Sequence, residues 1–176
     1  MEIIKTSIEG LVIIQPKVFE DDRGYFMESY KDCFIKENFP GIHFVQDNES
    51  KSSYGVLRGL HFQKPPFEQT KLVRVVEGKV LDVAVDLRTG STTFGKWESI
   101  ILSGSNKKQF FIPKGFAHGF IILSNYATFS YKVDNPYSPE HEDGIRFDNS
   151  TLNIDWMVKY SDIILSKRDQ QLSFKI

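Results

Sequence analysis

The chain has 176 residues, 40% of them hydrophobic and 26% charged, the length and balance of one globular domain that hides about 70% of its unfolded surface. Its 22 basic and 23 acidic side chains leave a net charge of -1, which excludes the cationic excess of a nucleic-acid footprint or a polybasic membrane anchor. No apolar run reaches the length of a membrane span, and the N-terminus lacks the charged lead and apolar core of a secretory leader. One soluble, cytoplasmic domain over 1–176 is expected, with the single Cys33 reduced and partly buried.

Aromatic residues make up 14% of the chain, 15 of them Phe. Short β-branched runs separated by Gly, Pro, Asn and Asp are the punctuation of an all-β domain. In chain order, strands are expected at 11–14 and 25–30, a short helix at 31–38 with Phe34 and Ile35 inward, and a strand at 56–62. Runs 72–77 and 80–87 flank Gly78 and read as a hairpin; in the second, Leu81, Val83, Val85 and Leu87 alternate with Asp82, Ala84 and Asp86, so one face should look inward. Further strands are expected at 99–102, 109–112, 119–123 and 128–133. Pro136 and Pro139 make 135–143 a loop. The spacing suits a sandwich or jelly roll.

The run Val56-Leu57-Arg58-Gly59-Leu60-His61-Phe62-Gln63 places a cation and an imidazole on an otherwise apolar strand. An imidazole exchanges protons near neutrality when another group fixes its tautomer; a core histidine bonded to a backbone carbonyl is the competing reading. Strict alternation puts Arg58 and His61 on opposite faces. If both reach one pocket, Gly59 is the natural site of a bulge.

A second run, Pro113-Lys114-Gly115-Phe116-Ala117-His118, follows the Pro-x-Gly-x-x-His pattern of the second cupin motif. The first motif of metal-binding cupins carries two His one residue apart and then a Glu, whereas His61 is followed by Phe62 and Gln63. The ligand set is therefore incomplete, and neither metal nor other cofactor is expected.

With both runs in view, the sequence resembles the dTDP-4-dehydrorhamnose 3,5-epimerases, non-metal cupins of dTDP-L-rhamnose synthesis, over nearly its whole length. The markers are Asp22-Arg23-Gly24-Tyr25-Phe26 with Glu28; Phe44-Val45-Gln46-Asp47-Asn48; 56–63; Lys71-Leu72-Val73; 82–88; 112–120; Tyr131-Lys132; Pro139-Glu140-His141-Glu142; Ile154-Asp155-Trp156; and Leu165-Ser166-Lys167-Arg168-Asp169. The resemblance implies a cupin-type jelly-roll β-sandwich with a few short helices. It also implies inversion of C3 and C5 beside the ketone of dTDP-4-dehydro-6-deoxy-D-glucose.

By resemblance, His61 is the base, Asp169 orients it, Tyr131 is the acid across the ring, and Lys71 meets the enolate charge in the manner of an oxyanion hole. Arg23, Phe26, Glu28, Gln46, Asp47, Asn48, Arg58, His118, Glu142 and Arg168 are implied to hold the dTDP-sugar. The chemistry is consistent: guanidinium forks match phosphate oxygens and Phe26 offers a face to thymine. An isolated Asp-Arg-Gly reads more simply as a surface turn with Arg23 paired to Asp21 or Asp22. Family members are homodimers that exchange N-terminal strands, so Arg23, Phe26 and Glu28 are expected in the neighbour's site. Two departures, Asn135-Pro136 before Tyr137 and Phe147 in place of Trp, are expected at the sugar pocket. Rival readings are a single-centre 3-epimerase, a metal-dependent cupin oxygenase and a non-catalytic sugar-nucleotide-binding module.

Overall fold

Short runs with inward-facing apolar residues build two packed sheets in the computed structural model, which describes residues 1–175. The elements are β1 (Glu2–Lys5), β2 (Val12–Gln15), β3 (Val18–Asp21), β4 (Gly24–Met27), α1 (Asp32–Asn38), β5 (Gln46–Ser53), β6 (Leu57–Gln63), β7 (Lys71–Glu77), β8 (Lys79–Asp86), β9 (Trp97–Ser103), β10 (Gln109–Ile112), β11 (Phe116–Ile122), β12 (Tyr126–Val133) and β13 (Glu142–Gly144). One sheet has the order β1-β2-β10-β7-β12-β5 and the other β13-β6-β11-β8-β9, while β3 and β4 pair only with each other. All these ladders are antiparallel, giving the all-β jelly-roll sandwich of the cupin type. No helix among the described residues is long and apolar enough to cross a membrane.

The core lies in three layers. Val73, Val75, Phe110 and Phe129 from the first sheet meet Val80, Ala84, Phe120 and Ile122 from the second in the interior. Leu81, Val83, Val85 and Ile121 on the second sheet's outer face are covered by Ile145, Phe147, Leu152 and Trp156. On the first sheet's outer face, Leu72 and Phe111 pack under α1 through Ile35, with Phe39 stacked 3.9 Å from Phe111. The interior layer stops short of one end of the sandwich, where polar side chains replace apolar ones.

Three expectations are corrected. Strands β7 and β8 form no hairpin, because β7 lies between β10 and β12 and β8 between β11 and β9, in different sheets. Gly78 (φ +84°) is the corner between the sheets, and a Cβ there would lie 2.2 Å from the Tyr126 carbonyl oxygen. A tight apolar-flanked connection looks the same in sequence whether its strands pair or part. Strand β8 is buried on both faces rather than one, since the C-terminal segment covers its second face. Cys33 is exposed, on the solvent side of the helix whose opposite side buries Ile35.

Strand β5 is absent from the sequence reading for a physical reason. Gln46–Ser53 is polar on both faces, because it is the edge of its sheet, with solvent on one face and the polar end of the interior on the other. Its place is set by eight register pairs with β12, not by apolar alternation.

Candidate active site

A cavity of about 580 Å³ opens where the interior layer ends. The first sheet contributes Asn48 from β5, Lys71 from β7 and Tyr131 from β12; the second contributes Arg58 and His61 from β6, His118 from β11 and Glu142 from β13. Segment 164–169 closes a side with Ser166, Arg168 and Asp169. Beneath lies an aromatic floor, Phe120 stacked 3.9 Å from Phe129 across the two sheets, and Phe129 packs 6.0 Å from the Tyr131 ring.

Strand β6 reaches the cavity twice because it carries one extra residue. His118 stands opposite His61 and Phe120 opposite Arg58, so three steps on β6 match two on β11. Gly59 sits in this shift at φ +129°, where a Cβ would lie 2.5 Å from the Gly119 Cα. The bulge overrides the alternation that would separate Arg58 from His61.

His61 Nε2 lies 2.5 Å from Asp169 Oδ1. Asp169 comes from the distant C-terminus, delivered by backbone bonds from Leu57 to Ile164 (3.0 Å) and from Ile164 to Gly55 (2.9 Å). Ser166 Oγ donates to Asp169 Oδ2 at 2.8 Å, and the Asp169 N–H donates back to Ser166 Oγ at 3.0 Å. Burial pushes the Asp169 carboxyl up, but the His61 bond and charge with the Ser166 bonds outweigh it and hold it below its ordinary value. A carboxylate bonded to Nε2 leaves Nδ1 as the free proton-accepting atom of His61.

Across the cavity, burial raises the Tyr131 phenol, with Glu142 adding to the effect and Arg58 opposing it. Burial lowers the Lys71 ammonium to about 8, with Asp82 and Glu142 working against the fall. His118 donates from Nε2 to Asp82, at 3.0 and 3.1 Å from its two oxygens. Among the described residues no group of three His, Cys, Asp or Glu side chains is arranged to hold a metal ion.

Several named residues lie elsewhere. Gln46 stands beside the cavity, bonded to Asn48 at 2.8 Å. Asp47 points to the opposite face of β5 and pairs with Lys132 at 2.7 Å. Arg23, Phe26 and Glu28 are outside the cavity: Arg23 pairs with Asp21 at 2.6 Å with its side chain 89% exposed, Phe26 is 67% exposed, and Glu28 pairs with Lys31 at 3.1 Å.

Of the two departures, Phe147 is buried behind the second sheet, where its carbonyl accepts from Trp156 Nε1 at 2.9 Å; it does not touch the cavity, because β6 and β11 intervene. Asn135 instead ties loop 66–69, bonding the carbonyls of Pro66 and Glu68 at 3.0 and 3.3 Å. Its neighbour Tyr137 donates to Glu142 at 2.5 Å and accepts from Arg168 at 3.2 Å, while Arg168 and Glu142 pair at 2.5 Å.

Sequence reasoning left three site residues without a role. Tyr137 had only its place after Asn135-Pro136 as a signal. Ser166 had the Ser-x-x-Asp spacing of a local turn. Asp82 had no signal, because the alternation of 80–87 reads it onto the face away from the core and only the structure buries both faces.

The sequence profile of the dTDP-4-dehydrorhamnose 3,5-epimerase family matches residues 5–175. The chain is 49% identical over 174 residues to the dTDP-4-dehydrorhamnose 3,5-epimerase of Escherichia coli K12, covering 98% of this chain and 93% of that one. Among solved structures, the dTDP-4-dehydrorhamnose 3,5-epimerase of Elizabethkingia anophelis is 54% identical with a TM-score of 0.92, covering 98% of this chain and 94% of that one. The dTDP-6-deoxy-D-glucose-3,5-epimerase of Legionella pneumophila, solved with dTDP-4-keto-L-rhamnose, is 49% identical with a TM-score of 0.93, covering 97% and 90%. With a profile match spanning almost every residue and half-identical relatives matched nearly end to end, this chain belongs to the dTDP-4-dehydrorhamnose 3,5-epimerase family.

Proposed function

We propose that this chain inverts C3 and C5 of dTDP-4-dehydro-6-deoxy-D-glucose to give dTDP-4-dehydro-L-rhamnose, by proton removal and return through an enolate. The observation that carries this is the confrontation of two proton carriers from different sheets: His61 with its Asp169 on one wall, Tyr131 on the other, and Lys71 in the same cavity. The C4 ketone acidifies the C–H bonds on either side of it. His61 Nδ1 takes the proton from one face while Asp169 holds Nε2–H and balances the imidazolium that forms. The electrons move into the ketone, and the Lys71 ammonium meets the charge on its oxygen. Tyr131 then gives its phenolic proton to the carbon from the opposite face, inverting it. The enolate carbon is a strong base, so transfer from a phenol runs downhill. The imidazolium returns its proton to water, the phenolate regains one, and the cycle repeats at the second carbon.

Arg58, His118, Glu142, Arg168 and Asn48 surround the space for the sugar diphosphate, and the two guanidinium groups suit its phosphates. Arg23, Phe26 and Glu28 serve the partner's site in a homodimer, because β3 and β4 pair with neither main sheet and leave these side chains uncommitted to their own cavity. Each chain works as one catalytic domain in the cytoplasm, where nucleotide sugars are made. Dilution to monomers should abolish dTDP binding; undiminished binding by an isolated monomer refutes the shared site.

Turnover in D₂O tests the reaction. Solvent deuterium should appear at both C3 and C5 of the product. Label at C3 alone makes the enzyme a single-centre epimerase, and no label removes the proton-transfer mechanism.

A further inference from the structure

The mechanism above leaves unused a carboxylate that is costly to keep. Asp82 is 0% exposed, on the inward face of β8 between Val80 and Ala84, both interior core residues. A carboxylate buried there persists only when matched by partners that need it. Its hydrogen-bonding partner is His118, and its charge acts on Lys71. His118 stands opposite Ala84 in the β8–β11 ladder, which puts Asp82 at the diagonal position on the same face, and the two Nε2–oxygen distances of 3.0 and 3.1 Å centre the carboxylate on the ring N–H. Lys71 enters the cavity from the facing sheet, and among the described residues it forms no ion pair of its own.

We propose that Asp82 is a positioning residue of the epimerase site, a carboxylate under the cavity floor that locks the His118 tautomer and balances the Lys71 ammonium so that it is charged when the enolate forms. This rests on the epimerase reading for its purpose, though the coupling itself is a property of the fold. The groups around Lys71 divide by sign. Asp82 from β8 and Glu142 from β13 favour the ammonium, while Arg58 and any proton held by His61 or His118 oppose it; Tyr131 is neutral until it has given up its proton. Glu142 is already engaged by Arg168 and Tyr137. Burial raises the Asp82 carboxyl while His118 and Lys71 pull it down, so these two groups are what keep Asp82 charged, and Lys71 is the cation that draws on that charge. The bond from Nε2–H to Asp82 keeps the His118 ring fixed, and burial, outweighing the pull of Asp82 toward the imidazolium, holds His118 below its ordinary value, which suits a hydrogen-bonding partner for substrate better than a second base.

The test is direct titration of Lys71 by NMR in protein carrying ¹³C-labelled lysine, in the unmodified chain and in Asp82→Asn. Removing the charge should lower the Lys71 midpoint by about one pH unit, leaving about tenfold less ammonium at a given pH above it. The descending limb of kcat should move down with it, while KM for the dTDP-sugar stays within about twofold. Rescue of the midpoint is expected in Asp82→Glu and not in Asp82→Ser. An unchanged Lys71 midpoint in folded Asp82→Asn overturns the proposal. If no variant folds, the unmodified protein decides it, since the Asp82 side-chain carbon must report a carboxylate at pH 7 and a protonated Asp82 there overturns it too. Absence of deuterium exchange in the unmodified protein would instead overturn the epimerase reading, and the titration would still decide the coupling.

Discussion

Replacing Lys71 by Met should make the protein more stable and less active at once. An ammonium held at about 8 instead of 10.5 is disfavoured by about 3 kcal/mol relative to the unfolded chain, at 1.36 kcal/mol per unit. Water in the open cavity screens part of this, so a gain of about 1 to 3 kcal/mol is expected from an uncharged side chain of similar length. That corresponds to roughly 2 to 12 °C in Tm for a chain of this size. The sign follows from linkage: the fold binds the Lys71 proton less tightly than the unfolded chain does. The penalty is therefore complete below about pH 8 and dwindles as pH rises toward 10.5, where both states become neutral. Thermal unfolding followed at pH 7 and again near pH 10 should show a gap in favour of Lys71→Met that closes at the higher pH. Turnover at pH 7 should fall by about 10²- to 10³-fold, as when an oxyanion donor is lost. In the unmodified enzyme, turnover should decline above about pH 8 as the ammonium is lost. A variant less stable than its parent at pH 7, or a gap that ignores pH, would refute the electrostatic account of Lys71.

Asp169→Asn should reduce turnover by about 10²- to 10⁴-fold with dTDP affinity, read by calorimetry, largely kept. Because the Asp169 carboxyl sits below 3.8 in the fold, its contribution to stability is present above that pH and fades as pH falls through the lower folded value. Acid unfolding should thus separate Asp169→Asn from its parent at pH 6 and bring the two together in strong acid; a constant gap contradicts the pairing. Gly59→Ala forces a side chain into a left-handed backbone and against Gly119, so denaturant unfolding should show a loss of about 1 to 3 kcal/mol, and turnover should drop as His61 moves. An alanine variant as stable and active as its parent contradicts the bulge as the device that brings Arg58 and His61 together.

The catalytic end of the molecule was more legible in sequence than the architecture around it. His61 stood out because an imidazole in an apolar strand is expensive, His118 because it ends a Pro-x-Gly-x-x-His run, and Gly59 because a glycine within such a strand needs a reason. The link from His61 to Asp169 spans more than a hundred residues and rests on the Val56–Ile164 bridge, a contact that no local pattern announces; only the family resemblance joined the two. The sheet assignment of β7 and β8 was illegible because periodicity tells which face is apolar and not which strand lies alongside. Strand β5 was invisible because both its faces are polar. Tyr137 and Asp82 escaped for opposite reasons, one being a surface aromatic in a loop and the other a charge hidden where only its burial gives it meaning.

The opposed placement of His61 and Tyr131 is tested most directly by separating proton removal from inversion. In D₂O, Tyr131→Phe should still exchange substrate C–H for deuterium, because His61 removes the proton and returns one to the same face, yet yield little inverted product. His61→Asn should lose exchange and inversion together. Full exchange in His61→Asn, or equal loss of exchange and inversion in Tyr131→Phe, would contradict a base and an acid working from opposite walls of the cavity.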